Sequence, residues 1–491
     1  MISTLAQQTK ILITGASGYI GGRLVARLHE KGYSLHCLAR RPEALQKYLP
    51  SSIEVVSGDM LKSESLAPAF VGIDIAYYLV HSMRQSEANF EDKDRQAAKN
   101  FADAAKKTGV KRIIYLGGLG QDDHELSPHL QSRHEVGDIL RASGIPVTEF
   151  RAAIIVGSGS ISFEMIRYLT ERLPIMICPK WVKSRCQPIA IRDVLNYLIA
   201  AIEEPRSVGE ILEIGGADIL TYKEMMLGYA KVRGLKRALI EVPVLTPRLS
   251  SYWVDFITPI PASISRPLIL GLKNDVICQN FKAREIFPFK PLGYEEAVRL
   301  ALAKIEGSQI ETIWSGSQAS AGSRSAELKT LETREGFIIE TRQASIQAKP
   351  DTVFKIVSRL GGKQGWYYAN SLWHLRGLID RLFGGVGMRR GRRDPERLRV
   401  GDALDFWRVE AIEADKLMRL RAEMKVPGKA WLQFEIQSNE ESPKSSILTQ
   451  SAFFEPKGLS GLLYWYVLYP VHSLIFSGLC REIKKRAELK N

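Results

Sequence analysis

Cysteine is scarce. The five residues, Cys37, Cys178, Cys186, Cys278 and Cys480, are scattered, odd in number and never spaced C-x-x-C. That pattern argues for a reducing compartment, and against a disulfide framework or a structural zinc. The opening "MISTLAQQTK" lacks an apolar run and a cleavage site, so a cytoplasmic protein without a secretory signal is expected. No short-period repeat occurs, which excludes a solenoid. Acidic residues are in deficit, with 54 Asp+Glu against 68 Lys+Arg and a net charge of +14. From Gly336 onward the balance is 26 − 17 = +9, and "MRRGRRDPERLR" (388–399) alone holds six arginines. No nucleic-acid module signature accompanies them, so a solvated loop or an anion-facing surface is expected rather than nucleic acid.

What is present fits a globular chain: 491 residues, 45% apolar and 25% charged, enough for two or three domains. The first ~200 residues alternate strand-like and helical runs, as a βαβ series with a parallel sheet does. "KILITGAS", "YSLHCLAR", "IEVVSGDM", "IAYYLVHS", "KRIIYLGG" and "IPVTEFRAA" read as successive strands. The expected organisation is a Rossmann domain over 1–205, a substrate or lid subdomain over 206–307, a linker over 308–335 and an α+β domain over 336–491. Five prolines between Pro243 and Pro267 rule out a continuous helix there and suit a lid or a surface wrap.

"TGASGYIGG" ends the first strand and opens a helix, setting Gly15, Gly18 and Gly21 at G-x-x-G-x-x-G spacing. Gly15 allows the tight turn, Gly18 lets the backbone approach a pyrophosphate, and Gly21 lets the helix pack on the strand, with its N-terminus facing the phosphates. The second strand ends in Arg40 and Arg41, where an NAD-specific site would carry an acid. A guanidinium there suits a 2′-phosphate, so NADP(H) is the expected cofactor. The cofactor-binding set is Thr14, Gly15, Ser17, Gly18, Tyr19, Ile20, Gly21, Arg40, Arg41, Asp59, Met60, Val80, His81 and Ser82, with Asp59 and Met60 placed for the adenine.

"TGASGYIG", "CLARRP", "SGDM" and "YLGGLG" resemble the atypical short-chain dehydrogenase/reductase group of NAD(P)H-binding proteins. "GWYYANSLWHLRGLIDRLFGGVGMRRGRRDP", "GDALDFWRVE" and "AEMKVPGKAWLQFE" resemble an uncharacterised START-like (polyketide-cyclase-like, SRPBCC) domain, which implies a helix-grip fold. The resemblance implies a proton-handling Tyr and, four residues on, a Lys that holds the nicotinamide ribose. Here those positions are His129 and Arg133, and the usual Ser region reads Gly117 and Gly118. A histidine titrates near neutrality and can act as a general acid, while an arginine can hold a ribose hydroxyl. The pair is expected to be catalytic, with His81 and Ser82 as further candidates and a merely solvated helix surface as the alternative.

Trp366, Tyr367, Tyr368, Trp373 and Trp407 are candidates to line an apolar cavity, or to be ordinary core. Leu459 to Cys480 carries no charge and is close to the ~20 residues needed to cross a bilayer. A buried closing helix is expected, with peripheral membrane contact as the alternative. The functional expectation is an NADPH-dependent reductase of an apolar, quinone- or isoprenoid-like carbonyl substrate. A non-catalytic NADPH-binding module for redox sensing or assembly, and a lipid or pigment carrier, stand beside it. The sequence leaves the oligomeric state open.

Overall fold

The computed structural model describes residues 9–46, 49–81, 90–120, 126–242, 257–258, 260, 275–306, 329–388, 392, 394, 398–439 and 442–489. Most of the proline-rich segment 243–274 and of the expected linker lies outside this set, as do Ser82 and most of the arginine run. The chain forms two compact units. One comprises residues 1–320 apart from 171–173, and the other comprises 321–491 with 171–173.

In the first unit the six expected strands form β1 (Lys10–Thr14), β2 (Ser34–Ala39), β3 (Glu54–Ser57), β4 (Ile75–Tyr78), β5 (Arg112–Gly118) and β6 (Val147–Ala152). A seventh strand, β7 (Ile211–Ile214), completes a parallel sheet of order β7-β6-β5-β4-β1-β2-β3. Strands covered on both faces need apolar residues at nearly every position, and Leu12, Ile13, Ala76, Tyr77, Ile113 and Ile114 are all fully buried. One face is covered by α1 (Tyr19–Glu30) through Leu24, Val25 and Leu28, together with the helix Ile191–Ala200. The other is covered by α2 (Phe90–Thr108) and α3 (Pro128–Ala142), through Ala98, Phe101, Val136 and Leu140. The strand order reverses between β1 and β4, so the crevice at their carboxyl ends is where an open α/β sheet takes its ligand.

Two buried polar networks lock this sheet. Arg112 at the start of β5 donates to the Ala201 carbonyl (2.6 Å), Thr148 Oγ1 (2.6 Å) and Ser207 Oγ (2.7 Å). Glu149 in β6, wholly buried, accepts from Arg151 Nε (2.8 Å) and from Arg141 of α3. Its carboxylate occupies the space opened by Gly137 in mid-helix, where a Cβ would lie 2.5 Å from Glu149 Oε2. None of the five cysteines forms a disulfide.

The second unit is a seven-stranded antiparallel sheet with a long C-terminal helix. Its strands are β8 (Lys329–Arg334), β9 (Phe337–Ile346), β10 (Ala403–Leu404), β11 (Trp407–Glu413), β12 (Leu417–Ala422), β13 (Gly428–Asn439) and β14 (Ser442–Pro456). They are ordered β8-β9-β14-β13-β12-β11-β10, so β14 pairs back onto β9 across about a hundred intervening residues. α4 (Pro350–Val357), α5 (Asn370–Leu382) and α6 (Gly458–Glu488) accompany the sheet. Leu432, Phe434 and Ile436 share the core with Leu448, Ala452 and Phe454 of β14, and with Trp465, Phe476, Leu479 and Ile483 of α6. The expectation of a buried closing helix is correct for one face of α6 only. Its apolar stretch has a mean hydropathy of 1.3 with 22% of it buried, and Leu463, Tyr466, Val467 and Leu474 are exposed.

Candidate functional site

The glycine turn shows why glycine is required at two of its positions. Gly15 adopts φ +74°, and a Cβ on it would sit 2.6 Å from the Leu79 carbonyl oxygen just past β4. A Cβ on Gly21 would lie 2.2 Å from the Gly15 carbonyl, so α1 can rest on the turn only without a side chain there. The Gly18 amide donates to the Gly15 carbonyl (2.8 Å), and Ser17 and Gly18 are exposed at the mouth of the crevice. The first-turn amides of α1 have no partner within the helix, and they carry the positive end of its dipole. The Tyr19 ring lies under the Arg23 guanidinium (4.1 Å), which also donates to the Ser158 carbonyl (3.0 Å). Ile20 is half-buried against the core beneath α1.

Two expected cofactor residues turn inward. Thr14 is fully buried; its hydroxyl donates to the Tyr77 carbonyl (2.8 Å) and accepts from the Leu79 amide (3.4 Å), so it ties β1 to β4. Met60 packs in the core with Leu38 and Phe70, and its carbonyl accepts from Asn100 (2.8 Å). Both side chains serve the fold. Asp59 is half-buried after β3, and one carboxylate oxygen accepts from the Leu61 amide (3.1 Å). Arg40 and Arg41 are exposed immediately after β2, and Val80 is half-buried beside Gly15.

His129 and Arg133 come one turn apart on α3, against the end of β5. The Arg133 guanidinium donates to the Leu116 carbonyl (3.0 Å) and lies 5.6 Å from the Tyr115 ring. His129 faces His81 across the ends of β4 and β5, with ring centroids 5.8 Å apart. Neither His129 nor Arg133 is the freely solvated helix residue of the alternative reading, since both are half-buried. Burial, aided by the Arg133 charge, lowers the His129 pKa to about 4. The expected titration near neutrality is thereby corrected: the imidazole is neutral at pH 7 and is a hydrogen-bond donor rather than a cationic acid. The nearby Tyr115 does not replace the missing tyrosine. Its hydroxyl donates to the Arg133 carbonyl (2.8 Å), and burial raises its pKa.

Sequence reasoning passed over His134, which is buried with Nε2 3.2 Å from the Gly118 carbonyl. Arg133 and His134 thus lie against two alternate carbonyls near the end of β5, those of Leu116 and Gly118. The missed Glu149 site had one signal, a glycine in the middle of the otherwise regular helix "HEVGDIL". Among the described residues no cluster of His, Cys, Asp and Glu could hold a metal ion. Trp366, Trp373 and Trp407 lie together in the interior of the C-terminal unit. Trp366 stacks on Trp373 (4.7 Å) and donates to Asp405 (2.9 Å), and Trp407 packs beside it.

A parallel sheet reversing at β1/β4, with a glycine turn opening α1, defines an NAD(P)-binding Rossmann domain of the atypical short-chain dehydrogenase/reductase class. More narrowly it is NmrA-like, for residues 7–251 match the NmrA-like family. Residues 338–479 match a family described as protein of unknown function (DUF2867). Among curated relatives, the ceramide reductase of Caulobacter vibrioides is 27% identical over 236 residues, covering 48% of this chain and 73% of that one. The photosystem II assembly factor Ycf39 of Cyanophora paradoxa is 26% identical over 242 residues, covering 47% and 73%. The structure of the NADPH-dependent quinone oxidoreductase QOR2 of Escherichia coli, complexed with NADPH, aligns at a TM-score of 0.50 and 19% identity. It covers 60% of this chain and 99% of that one, a likeness of fold.

Proposed function

We propose that the N-terminal unit binds NADPH and reduces an apolar, quinone- or isoprenoid-like carbonyl compound in the cytoplasm. The observation that supports this reading is that the glycine turn, Arg40 and the His129–Arg133 pair stand at the carboxyl ends of the parallel strands β1, β2 and β5. Arg40 and Arg41 supply positive charge where a 2′-phosphate would end. Asp59 and Val80 border the same crevice, as does His81, with Ser82 next in the chain. The names of the ceramide reductase and the quinone oxidoreductase support both the reaction type and an apolar acceptor.

NADPH held there would supply the hydride. Arg133, anchored on the Leu116 carbonyl, cannot lose its proton near neutrality and so positions a ribose hydroxyl. His129 offers a neutral ring N–H to the substrate oxygen and draws on His81 or water for the proton. The test is NADPH oxidation against a panel of quinones and long-chain ketones. His129→Ala should lower turnover by roughly 100-fold with NADPH affinity unchanged. Since His129 titrates at about 4, turnover should show no His129-linked fall as pH rises through neutrality. Such a fall, still present in His129→Ala, would move the acid role to His81.

A second reading, of a carrier, is favoured by the core of the C-terminal unit. The indole N–H groups of Trp373, Trp407 and Trp465, Arg342 Nη1 and both amide atoms of Gln450 are buried without hydrogen-bond partners in the structure. Such groups cost free energy unless something fills their valences. A START-like helix-grip holding a ligand with hydrogen-bond acceptors for the N–H groups and a donor for Gln450 Oε1 would do so, and native mass spectrometry of the purified protein would detect it. A non-catalytic module, which the assembly-factor relative supports, is the reading if no panel compound oxidises NADPH.

A further inference from the structure

We propose that the C-terminal unit docks on the surface of an anionic lipid bilayer through one apolar face built from α5 and the first half of α6. On α5 and just past it, Leu375, Leu378, Ile379, Leu382 and Phe383 are between 40% and 78% exposed. Their spacing of i, i+3, i+4, i+7 and i+8 makes a single stripe, while Trp373, Gly377 and Asp380 point to the core. On α6, Leu459, Leu463, Tyr466, Val467, Val471 and Leu474 are between 41% and 73% exposed, again at helical spacing. Arg376 of α5 donates to the Tyr464 hydroxyl of α6 (3.3 Å), so the two helices lie side by side. Single exposed apolar residues are ordinary on a protein surface; two adjoining stripes of large ones mark an interaction site.

Charge selects the occupant. The only acid on α5 is Asp380, which is buried and accepts from the Gly387 and Lys425 amides. α6 has no acid before Glu482. The cations Arg376, Arg381, Lys425 and Lys457 belong to these helices or to the residues beside them, and six arginines follow in the sequence between 388 and 399. A second copy bringing the same cationic face would be repelled, whereas lipid phosphates would be attracted. The helix lies in the plane of the surface and does not cross it. Its inner face is committed to the sheet, where Trp465 stacks on Phe454 (5.3 Å) and Ile475, Phe476 and Leu479 are buried. A helix lying in the interface binds by apolar insertion plus attraction to anionic headgroups.

The inference stands apart from the reductase reading, because its test needs no turnover. The full chain is sedimented with vesicles of phosphatidylcholine alone and of phosphatidylcholine mixed with phosphatidylglycerol. Binding should be at least roughly tenfold stronger to the mixed vesicles, weaker at high salt, and reversed by carbonate washing. Leu378→Glu with Val467→Glu should remove it while the thermal melting curve stays unchanged, as expected for exposed positions. If that pair unfolds the unit, Leu382→Ser with Leu463→Ser reads the same face more gently. Failure to bind either vesicle overturns the proposal, and a dimer abolished by these substitutions would hand the face to a second copy. Resistance to carbonate would overturn it in favour of a bilayer span.

Discussion

Glu149 in the N-terminal unit and Glu340 in the C-terminal unit are both fully enclosed carboxylates, yet their surroundings differ. Glu149 takes guanidinium groups from both Arg141 and Arg151, and Gly137 makes the room for it. Glu340 meets Arg342 at 2.5 Å, but Glu340 Oε2 and Arg342 Nη1 have no hydrogen-bond partner, and neither does the side chain of Gln450 across the strand. Among the described residues the N-terminal unit leaves few buried side-chain atoms such as Tyr197 Oη and His36 Nδ1 without a partner, whereas the C-terminal unit leaves more, those of Trp373, Trp407, Trp465, Arg342 and Gln450 among them.

Removing one partner should break the comparison most strongly. Glu149→Ala would remove the buried carboxylate that Arg141 and Arg151 share, leaving Arg141 its more exposed partner Asp138, and should cost about 3 kcal/mol. Urea unfolding of the N-terminal unit would measure it, and a loss near zero would mean that these guanidinium groups are already hydrated.

Acid should sharpen the comparison next. His129 in one unit and His472 in the other are both lowered to about 4, chiefly by burial. An unfolded chain takes up these protons near pH 6.5, but the folded chain does so only near 4, so stability is complete above 6.5 and drains away as pH falls toward 4. Partial exposure discounts each effect to about 1–2 kcal/mol. Calorimetry of His129→Asn and His472→Asn should show each substitution flattening the acid slope of its own unit; a slope that survives both would refute the assignment.

Cofactor choice comes third. Arg40→Asp should erase a tenfold preference for NADPH over NADH, about 1.4 kcal/mol, by titration calorimetry. Equal affinities in the unsubstituted protein would remove the role given to Arg40. The smallest effect should come from replacing the incomplete pair as a whole. Glu340→Leu with Arg342→Met should stay within about 1 kcal/mol of the parent, since apolar residues of similar volume often substitute neutrally for a buried pair. A loss as large as that of Glu149→Ala would make the two interiors alike.

The sheet of the N-terminal unit was legible because doubly covered strands are continuous apolar runs, and because the glycine turn has a steric requirement that sequence spacing preserves. The inward turn of Thr14 and Met60 was not legible, since spacing along a strand end does not say which way a side chain faces. The lowered pKa of His129 also escaped, because it depends on what α3 and β5 bury together. For α6 the difficulty was different. A helix apolar on every side has no polar stripe to mark its outer face, so periodicity cannot separate core from surface. The antiparallel pattern of β13 was plain, but its partner strands were not.

The pairing of β9 with β14 has a consequence for how the protein is made. Ile338 must wait for Phe454, and Ile346 for Ser446, so the sheet cannot close until the ribosome has released almost the whole chain. The last strand of the N-terminal sheet, β7, is made by residue 214 of 491, more than two hundred residues before β14 is complete. For most of synthesis the nascent chain therefore carries a finished head and a tail of strands with unpaired edges, the species most prone to wrong association. A chain halted after Asn439 should be cut by protease in its tail and spared in its head. Equal protection of both would mean that the early strands find another partner.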